Sequence, residues 1–233
     1  MSPLARLLLI STSTVYGTGY LDHAESEIRN TLGAARRVVF IPYALADRKA
    51  YAARAVARFQ SMGFECASIE ERRNPVRALD DADAVFVGGG NTFRLLKALH
   101  EFGLVAAIRN RVSQGMIYMG ASAGSNVACP TIRTTNDMPV VEPPTLAALN
   151  LFPFQINPHY QDPDTDSKHM GETREERLLQ YLEENETPVI GLREGAILSM
   201  GDGHIHLCGL NGARIFQRNR APWEVTPPTE LLL

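Results

Sequence analysis

Short apolar runs alternate with amphipathic segments along most of this chain, and that alternation restricts the possible folds more than any other feature. The apolar runs predict five strands: Leu7–Ser11, Val38–Pro42, Phe64–Ile69, Ala84–Val87 and Met116–Met119. Segments with helical periodicity lie between them: Asp22–Leu32, Asp47–Met62, Asn91–His100 and Leu104–Gln114. This pattern predicts an α/β fold, a mostly parallel twisted sheet with helices on both faces. Ligands of such sheets usually bind at the carboxyl ends of the strands.

The pattern changes in the C-terminal third. A charged helix is predicted at Arg174–Glu184 and an apolar strand at Pro188–Leu192. Three short strands follow, separated by Asp-Gly and Asn-Gly pairs typical of hairpins: Ala196–Met200, His204–Cys208 and Arg214–Phe216. We therefore expect a short antiparallel extension at one edge of the sheet. The final segment, Asn219–Leu233, contains three prolines and is predicted to be irregular. No linker or repeat divides the chain, so residues 1–233 are predicted to form a single domain.

Composition excludes several classes of protein. The 233 residues carry a net charge of −3 without a basic run, so a nucleic-acid partner is not expected. The apolar run Leu7–Ile10 is shorter than a secretory or membrane-spanning segment requires. The three cysteines form no Cys-x-x-Cys pair, which favours reduced thiols in a cytoplasm. We expect a cytoplasmic protein that binds neither nucleic acid nor membrane.

The segment Gly120-Ala121-Ser122-Ala123-Gly124 directly follows the fifth predicted strand. It fits the G-x-S-x-G pattern of a nucleophile elbow, where a tight strand-to-helix turn holds a serine in a strained, exposed position. Small flanking residues avoid clashes, and the next helix presents its N-terminal amides. The alternative is a glycine- and alanine-rich turn without chemistry. The strand–turn–helix context favours Ser122 as a nucleophile.

A nucleophilic serine needs a base, and His159 is the histidine best placed to supply one. It follows the apolar run Phe154–Pro158, which indicates a side chain delivered from the end of a strand. The other histidines lie in helical, polar or strand patterns that suggest no three-ligand metal site: His23, His100, His169, His204 and His206. A structural loop histidine is the alternative at position 159. We predict no metal and no other cofactor.

A third group should orient the histidine, and two acids are candidates. Glu194 follows the predicted strand Pro188–Leu192, and Asp137 is its rival; either could instead be a solvated loop acid. The order Ser…His…Glu differs from the Ser…acid…His order of α/β-hydrolases and argues against that fold.

Acyl transfer also needs backbone N–H groups aimed at the developing negative charge. The amide of Ala123, just after the serine, is one candidate. Gly88-Gly89-Gly90, after the strand Ala84–Val87, can supply the second, because glycines let the backbone approach a ligand closely. This glycine segment lacks both phosphate-loop patterns.

Five segments together resemble the peptidase E family of aspartyl dipeptidases: Val87–Phe93, Gly120–Asn126, Ala128–Pro139, Gln155–His159 and Gly171–Glu175. The resemblance runs in order from the first strand to about Phe216. It implies a serine peptidase that hydrolyses dipeptides with an N-terminal aspartate through an acyl-enzyme. It also implies a fold similar to class I glutamine amidotransferases.

The resemblance assigns roles to five positions. It implies a Ser-His-Glu triad at Ser122, His159 and Glu194, and an oxyanion hole at Gly89 and Ala123. Two departures stand out: an alanine precedes the serine where a Trp or Thr is expected, and residues 160–170 differ from the family in length and composition. The second departure could change the preference for the leaving residue.

Recognition of an N-terminal aspartate requires a group that holds a carboxylate, and the planar fork of arginine can bind both oxygens. The resemblance to peptidase E favours Arg174 in this role, because Gly171–Arg174 would border the aspartate pocket, and Arg133 is the second candidate. An exposed residue that opens a charged helix is the bland alternative for Arg174. The other predicted substrate-binding residues are Gly88, Asn91 and Asp137.

Two alternative functions stay open at this point. A cyanophycinase-like peptidase would act on β-linked aspartyl-arginine, and a non-catalytic protein on the same fold would bind a small ligand. A glutamine amidotransferase would need cysteine at position 122 and an acid two residues after His159, and the chain has neither. The predicted partner is a small peptide with an N-terminal aspartate, and the chain could be a monomer or a homodimer.

Overall fold

The computed structural model describes residues 5–164, 166, 168 and 170–232. The strands in this part of the chain are β1 (Leu7–Ile10), β2 (Arg37–Ile41), β3 (Glu65–Ser68), β4 (Ala84–Val87), β5 (Ile117–Ala121), β6 (Gln155–Pro158), β7 (Val189–Leu192), β8 (Ala196–Gly201), β9 (His204–Gly209), β10 (Ala213–Gln217), β11 (Arg220–Val225) and β12 (Thr229–Glu230). The α-helices are α1 (Glu25–Leu32), α2 (Arg48–Ser61), α3 (Thr92–Glu101), α4 (Leu104–Ser113), α5 (Ala123–Asn126) and α6 (Arg174–Glu184).

The larger sheet has eight strands in the order β12-β9-β8-β1-β5-β4-β2-β3. The five strands from β1 to β3 in this order run parallel to one another. Strands β8, β9 and β12 continue the sheet in antiparallel fashion beyond β1. The predicted mostly parallel sheet and its antiparallel extension are both confirmed.

Alternate residues of β1 show why helices cover both faces of this sheet. Leu7 and Leu9 belong to one buried cluster, together with the apolar faces of α3 and α4. Leu8 and Ile10 belong to a second cluster, together with the apolar faces of α1 and α2. Because successive side chains of a strand point to opposite faces, a strand buried on both sides must be apolar throughout. The four apolar residues of β1 meet that requirement.

A second sheet of four strands, in the order β11-β10-β7-β6, was not predicted from the sequence. Strand β10 pairs with β7 and β11, so the prediction that Arg214–Phe216 extends the edge of the main sheet is wrong. The prediction of irregular structure for Asn219–Leu233 is also wrong, because this segment forms β11 and β12. Pro222 is tolerated in β11 because an edge strand has one side without ladder hydrogen bonds.

The carboxyl ends of β1, β5 and β4 lie side by side, because these neighbouring strands are parallel. The residues that follow them, at Ser11, Ser122 and Gly88, therefore meet at one edge of the sheet. Strands β6 and β7 are also parallel to each other, so the segments after them are brought together at His159 and Arg193. Within the described residues, no helix is long and apolar enough to cross a membrane. That residues 1–233 form a single domain stays a prediction.

Candidate active site

The turn between β5 and α5 holds Ser122 in a backbone conformation that side chains rarely adopt. Its φ is 51° and its ψ is −110°. The neighbouring glycines explain how the turn fits against the sheet: a Cβ at Gly124 would overlap the carbonyl oxygen of Val87, and one at Gly120 would overlap the carbonyl oxygen of Gly124. The strained serine and its crowded glycines are what a nucleophile elbow requires.

Two hydrogen bonds connect the predicted catalytic side chains in a row. His159 Nε2 lies 2.9 Å from Ser122 Oγ, and His159 Nδ1 lies 2.8 Å from Glu194 Oε1. Since a carboxylate only accepts, Nδ1 carries the proton and Nε2 is left to accept the hydrogen of the serine hydroxyl. The geometry thus selects the tautomer in which the imidazole acts as a base toward Ser122.

The backbone around His159 is unusual as well. His159 has a φ of 53°, and its amide donates a 2.9 Å hydrogen bond to the hydroxyl of Ser11. Ser11 is fully buried, and its hydroxyl donates at 2.7 Å to the carbonyl of Leu192, at the end of β7. Sequence reasoning missed Ser11. The available signal was a small polar residue that ends a buried strand at the ligand-binding edge of the sheet.

Gly89 lies against the serine, as the glycine-rich segment predicted. A Cβ at Gly89 would come within 3.0 Å of Ser122 Cβ and 3.6 Å of Ser122 Oγ. The amide of Ser122 itself donates to the carbonyl of Ile10 at 2.9 Å, so it points away from a substrate. Ala123 opens α5, and the first amides of a helix have no partner inside it.

Tyr51, on α2, packs against the glycine segment that follows β4. A Cβ at Gly88 would lie 2.5 Å from its hydroxyl oxygen, so only glycine fits there. Burial raises the pKa of the Tyr51 phenol.

Asp137 does not contact His159. Its Oδ2 accepts hydrogen bonds from the amide of Thr92 at 2.7 Å, from the hydroxyl of Thr92 at 2.6 Å and from the hydroxyl of Thr135 at 3.2 Å. Its Oδ1 accepts none from the described part of the chain. Asn91 caps α3, the helix that begins at Thr92. Its side chain accepts a hydrogen bond from the amide of Arg94 and donates one to the carbonyl of Met138. Of the two rival acids, the structure brings Glu194 to the histidine.

Arg174 is half-buried and opens α6 after the cap residue Thr173. Among the described residues it has no carboxylate within 4.0 Å, in contrast to Arg193 and Arg214, whose guanidinium groups are held by acids. Burial lowers the pKa of Arg174, the charge of Arg177 lowers it further, and the charge of Asp137 raises it in part. A guanidinium that is partly removed from water without an ion pair is suited to bind an anion.

Arg133, the second candidate for the carboxylate, lies elsewhere. It is exposed, and its amide donates to the hydroxyl of Thr131, whose side chain hydrogen-bonds that of Gln155 at the start of β6. The serine lies near the opposite end of β6, beside His159, and four strand residues span about 13 Å. The backbone of Arg133 thus lies beside the start of β6, and within the described residues no hydrogen bond or ion pair joins its side chain to the triad.

Two histidines outside this site share one face of β9. The rings of His204 and His206 stack with centroids 6.3 Å apart, and His204 Nδ1 lies 2.5 Å from Glu230 Oε1. This hydrogen bond and the charge of Glu230 raise the pKa of His204. Within the residues that the structure covers, no three His, Cys, Asp or Glu side chains are grouped to hold a metal ion. His169 lies outside the described residues.

Comparison with known proteins identifies close relatives over nearly the whole chain. A peptidase E from Streptomyces coelicolor is 52% identical over 225 residues, which cover 97% of this chain and 93% of the relative. A probable alpha-aspartyl dipeptidase from Drosophila melanogaster is 43% identical over 234 residues, covering 99% and 98%. A peptidase E from Escherichia coli is 45% identical over 214 residues, covering 91% and 93%.

Solved structures with lower identity share the fold. A peptidase from an acI-B1 actinobacterium superposes with a TM-score of 0.72 at 17% identity, covering 100% of this chain and 98% of the other. A putative peptidase E from Listeria monocytogenes superposes with a TM-score of 0.67 at 21% identity, covering 88% and 98%. The sequence model of peptidase family S51 matches residues 7–208, which include the elbow, the histidine and the glutamate. On sequence and fold together, this chain belongs to peptidase family S51.

Proposed function

We propose that this protein hydrolyses dipeptides with an N-terminal aspartate, with Ser122 as nucleophile, His159 as base and Glu194 as the residue that orients the base. The observation that carries the proposal is the row of hydrogen bonds from Ser122 Oγ through both ring nitrogens of His159 to Glu194. The relatives named peptidase E and probable alpha-aspartyl dipeptidase support the substrate class.

The mechanism is acyl transfer in two halves. His159 Nε2 takes the proton of the Ser122 hydroxyl as the oxygen attacks the scissile carbonyl, and the imidazolium then protonates the departing amine. The aspartyl group is left as an ester on the serine. Water attacks this ester, with His159 again as the base. This step regenerates the serine hydroxyl and releases free aspartate. Glu194 stabilises the imidazolium formed in each half.

We place the oxyanion hole at the amides of Gly89 and Ala123. Both residues flank Ser122, one from the loop after β4 and the other from the start of α5. A buried N–H that points at a developing negative charge contributes about 3–4 kcal/mol to the stability of a transition state.

We assign the side-chain carboxylate of the substrate to Arg174. Its guanidinium is partly buried and is affected by the charge of Asp137, whose carboxylate accepts from the amide of Thr92, just after the glycine segment that follows β4. A carboxylate buried without a positive partner costs several kcal/mol, so recognition of aspartate depends on this arginine. Arg133 is not assigned a role at the substrate, because it is exposed and its backbone lies beside the start of β6.

We assign the α-amino group of the substrate to Oδ1 of Asp137, which accepts no hydrogen bond from the residues that the structure describes. Thr92 and Thr135 fix the carboxylate through Oδ2 alone, so the second oxygen can accept from an ammonium. Arg174 and Asp137 would then bind opposite charges of the same aspartate. Gly88 belongs to the loop after β4, and Asn91 caps α3. We assign both residues to the support of these elements and not to polar side-chain contacts with the substrate.

The test is the specificity constant kcat/KM for Asp-Leu, Asn-Leu and Glu-Leu with the wild type and Arg174→Met. The wild type should prefer Asp over Asn by about 10²-fold or more, because asparagine cannot form the charged pair. Glu-Leu should be slow because one more methylene displaces the scissile carbonyl, and an error of about 1 Å can cost about 10²-fold. In Arg174→Met the preference for Asp over Asn should collapse.

Arg177→Met is the matched control, because Arg177 lies one turn further along α6, is exposed and lies 3.7 Å from Glu172. It should keep the wild-type ratio. An unchanged ratio in Arg174→Met would assign recognition of the carboxylate to another group. Turnover of β-linked aspartyl-arginine but not of Asp-Leu would instead indicate the cyanophycinase-like activity.

We propose that the enzyme acts in the cytoplasm as a monomer or a homodimer. We also propose that its fold is similar to that of class I glutamine amidotransferases.

A further inference from the structure

The dipeptide Ile10-Ser11, at the end of β1, contacts the backbone around every member of the triad. The carbonyl of Ile10 accepts from the amide of Ser122 at 2.9 Å and from the hydroxyl of Ser125 at 2.8 Å. These two hydrogen bonds hold the elbow on the central strand of the sheet. Ser11, the next residue, serves the other two members.

Ser11 uses both its hydroxyl and its amide. The hydroxyl accepts from the amide of His159 at 2.9 Å and donates to the carbonyl of Leu192 at 2.7 Å. The amide donates to the carbonyl of Ala196 at 3.1 Å. Leu192 and Ala196 lie two residues before and two residues after Glu194. One fully buried serine therefore fixes the histidine and both sides of the segment that carries the glutamate.

The position of these hydrogen bonds in the fold makes them important for the alignment of Ser122, His159 and Glu194. His159 follows β6 and Glu194 follows β7, and both strands belong to the smaller sheet. Ser122 follows β5 in the larger sheet. The catalytic groups thus come from two different sheets, and the hydroxyl of Ser11 is a direct hydrogen-bonded link between them.

The backbone of His159 gives a second reason. A φ of 53° is unfavourable for a residue with a side chain and persists only where the surroundings enforce it. The adjacent amide, of Tyr160, donates to the carbonyl of Leu192 at 3.1 Å, which ties β6 to β7 but not to the larger sheet. The contact with Ser11 is what fixes the amide of His159 relative to the elbow.

We propose that Ser11 is a positioning residue for catalysis: its hydroxyl sets the distance between His159 and Ser122 and keeps Glu194 within reach of the imidazole. The proposal rests on the triad of the proposed function. It differs from a purely structural role, in which loss of the hydroxyl would lower stability and leave turnover of the folded protein unchanged.

The experiment compares Ser11→Ala, Ser11→Cys and the control Ser68→Ala at a temperature well below the melting temperature of each. Ser68 is also a buried serine, but its hydroxyl caps a 3-10 turn at the far edge of the sheet. Two readouts are recorded for each protein: kcat and KM for Asp-Leu, and the rate at which a fluorophosphonate labels Ser122. The second readout needs the triad but not aspartate recognition.

Ser11→Ala should lower kcat and the labelling rate by about 10- to 100-fold, with KM within about threefold of wild type. Ser11→Cys keeps the shape of the side chain but is a weaker hydrogen-bond donor and acceptor, so it should fall between wild type and alanine. Ser68→Ala should keep both rates. If Ser11→Ala does not fold, the intermediate labelling rate of Ser11→Cys carries the test.

Wild-type kcat and labelling in folded Ser11→Ala, or in Ser11→Cys where only that variant folds, would overturn the proposal and leave the proposed function intact. A wild type that labels rapidly but does not cleave Asp-Leu would overturn the substrate assignment. The labelling rates of the variants would then still decide the role of Ser11.

Discussion

Replacing Glu194 by glutamine should slow turnover far more than replacing Asp137 by asparagine. Glu194 lies 2.8 Å from His159 Nδ1 and Asp137 does not contact the ring. The substitution keeps the size of the side chain and removes its charge. It also offers an amide NH₂ to Nδ1, which favours the tautomer that cannot accept the proton of Ser122.

The size of the effect follows from the exposure of the pair. The side chains of His159 and Glu194 are 34% and 52% exposed. At a charge separation of about 4 Å, an imidazolium and a carboxylate attract by about 1 kcal/mol in water and about 4 kcal/mol at an effective dielectric constant near 20. Since about 1.4 kcal/mol corresponds to a factor of ten, kcat should fall by between about fivefold and about 10³-fold.

The assay is steady-state hydrolysis of Asp-Leu by the wild type, Glu194→Gln and Asp137→Asn, with the fold of each checked by thermal unfolding. Asp137→Asn should act mainly on KM, because Asp137 is assigned to the amino group of the substrate. It should also reduce stability by about 0.3–1 kcal/mol, since it removes a negative charge from the start of α3. A larger loss of kcat in Asp137→Asn than in Glu194→Gln would refute the assignment of the orienting acid.

Two further predictions concern the elbow and metal ions. Gly124→Ala should lower the free energy of unfolding by about 3 kcal/mol or more, because the new methyl group would overlap the carbonyl of Val87. Gly201→Ala is the control, because its Cβ would meet Arg6 only at 3.7 Å, and it should change the free energy of unfolding by less than about 0.5 kcal/mol. Equal melting temperatures for the two variants would show that the elbow does not pack on β4 as described. Hydrolysis of Asp-Leu should persist after exhaustive chelation with EDTA, because the mechanism uses backbone amides and a histidine. Loss of activity that Zn²⁺ restores would argue for a metal-dependent reaction.

The first 120 residues were predictable because their signals are local. Most strands of the parallel core are short apolar runs, and the helices between them have their own periodicity. Two of these helices also begin after a capping residue, Asp47 before α2 and Asn91 before α3. The elbow is likewise a local pattern, since the strand, the glycines and Ser122 are contiguous in sequence.

The second sheet was not predictable by the same reasoning because its pairing is long-range. Strand β10 could as well have followed β9 in one meander, and nothing in its sequence states that it pairs with β7 instead. The three prolines of Asn219–Leu233 were given too much weight, since Pro222 lies in an edge strand where a missing N–H costs little.

The site was predicted in part. The residue types and their order suggested Ser122 and His159 and left Glu194 and Asp137 as rivals for the orienting acid. The family resemblance favoured Glu194, and in the structure Glu194 lies 2.8 Å from the histidine. Arg174 was ranked ahead of Arg133 on the resemblance, although both lie in family-like segments, and burial separates them: Arg174 is half-buried and Arg133 is exposed.

The central claim is that Ser122 attacks the substrate and carries the acyl group. The most direct measurement is kcat for Asp-Leu in Ser122→Ala, together with its melting temperature. The account predicts a fall in kcat of about 10⁴-fold or more with an intact fold, because the methyl group keeps the packing and removes the attacking oxygen. A folded Ser122→Ala protein that hydrolyses Asp-Leu at close to the wild-type rate would contradict it.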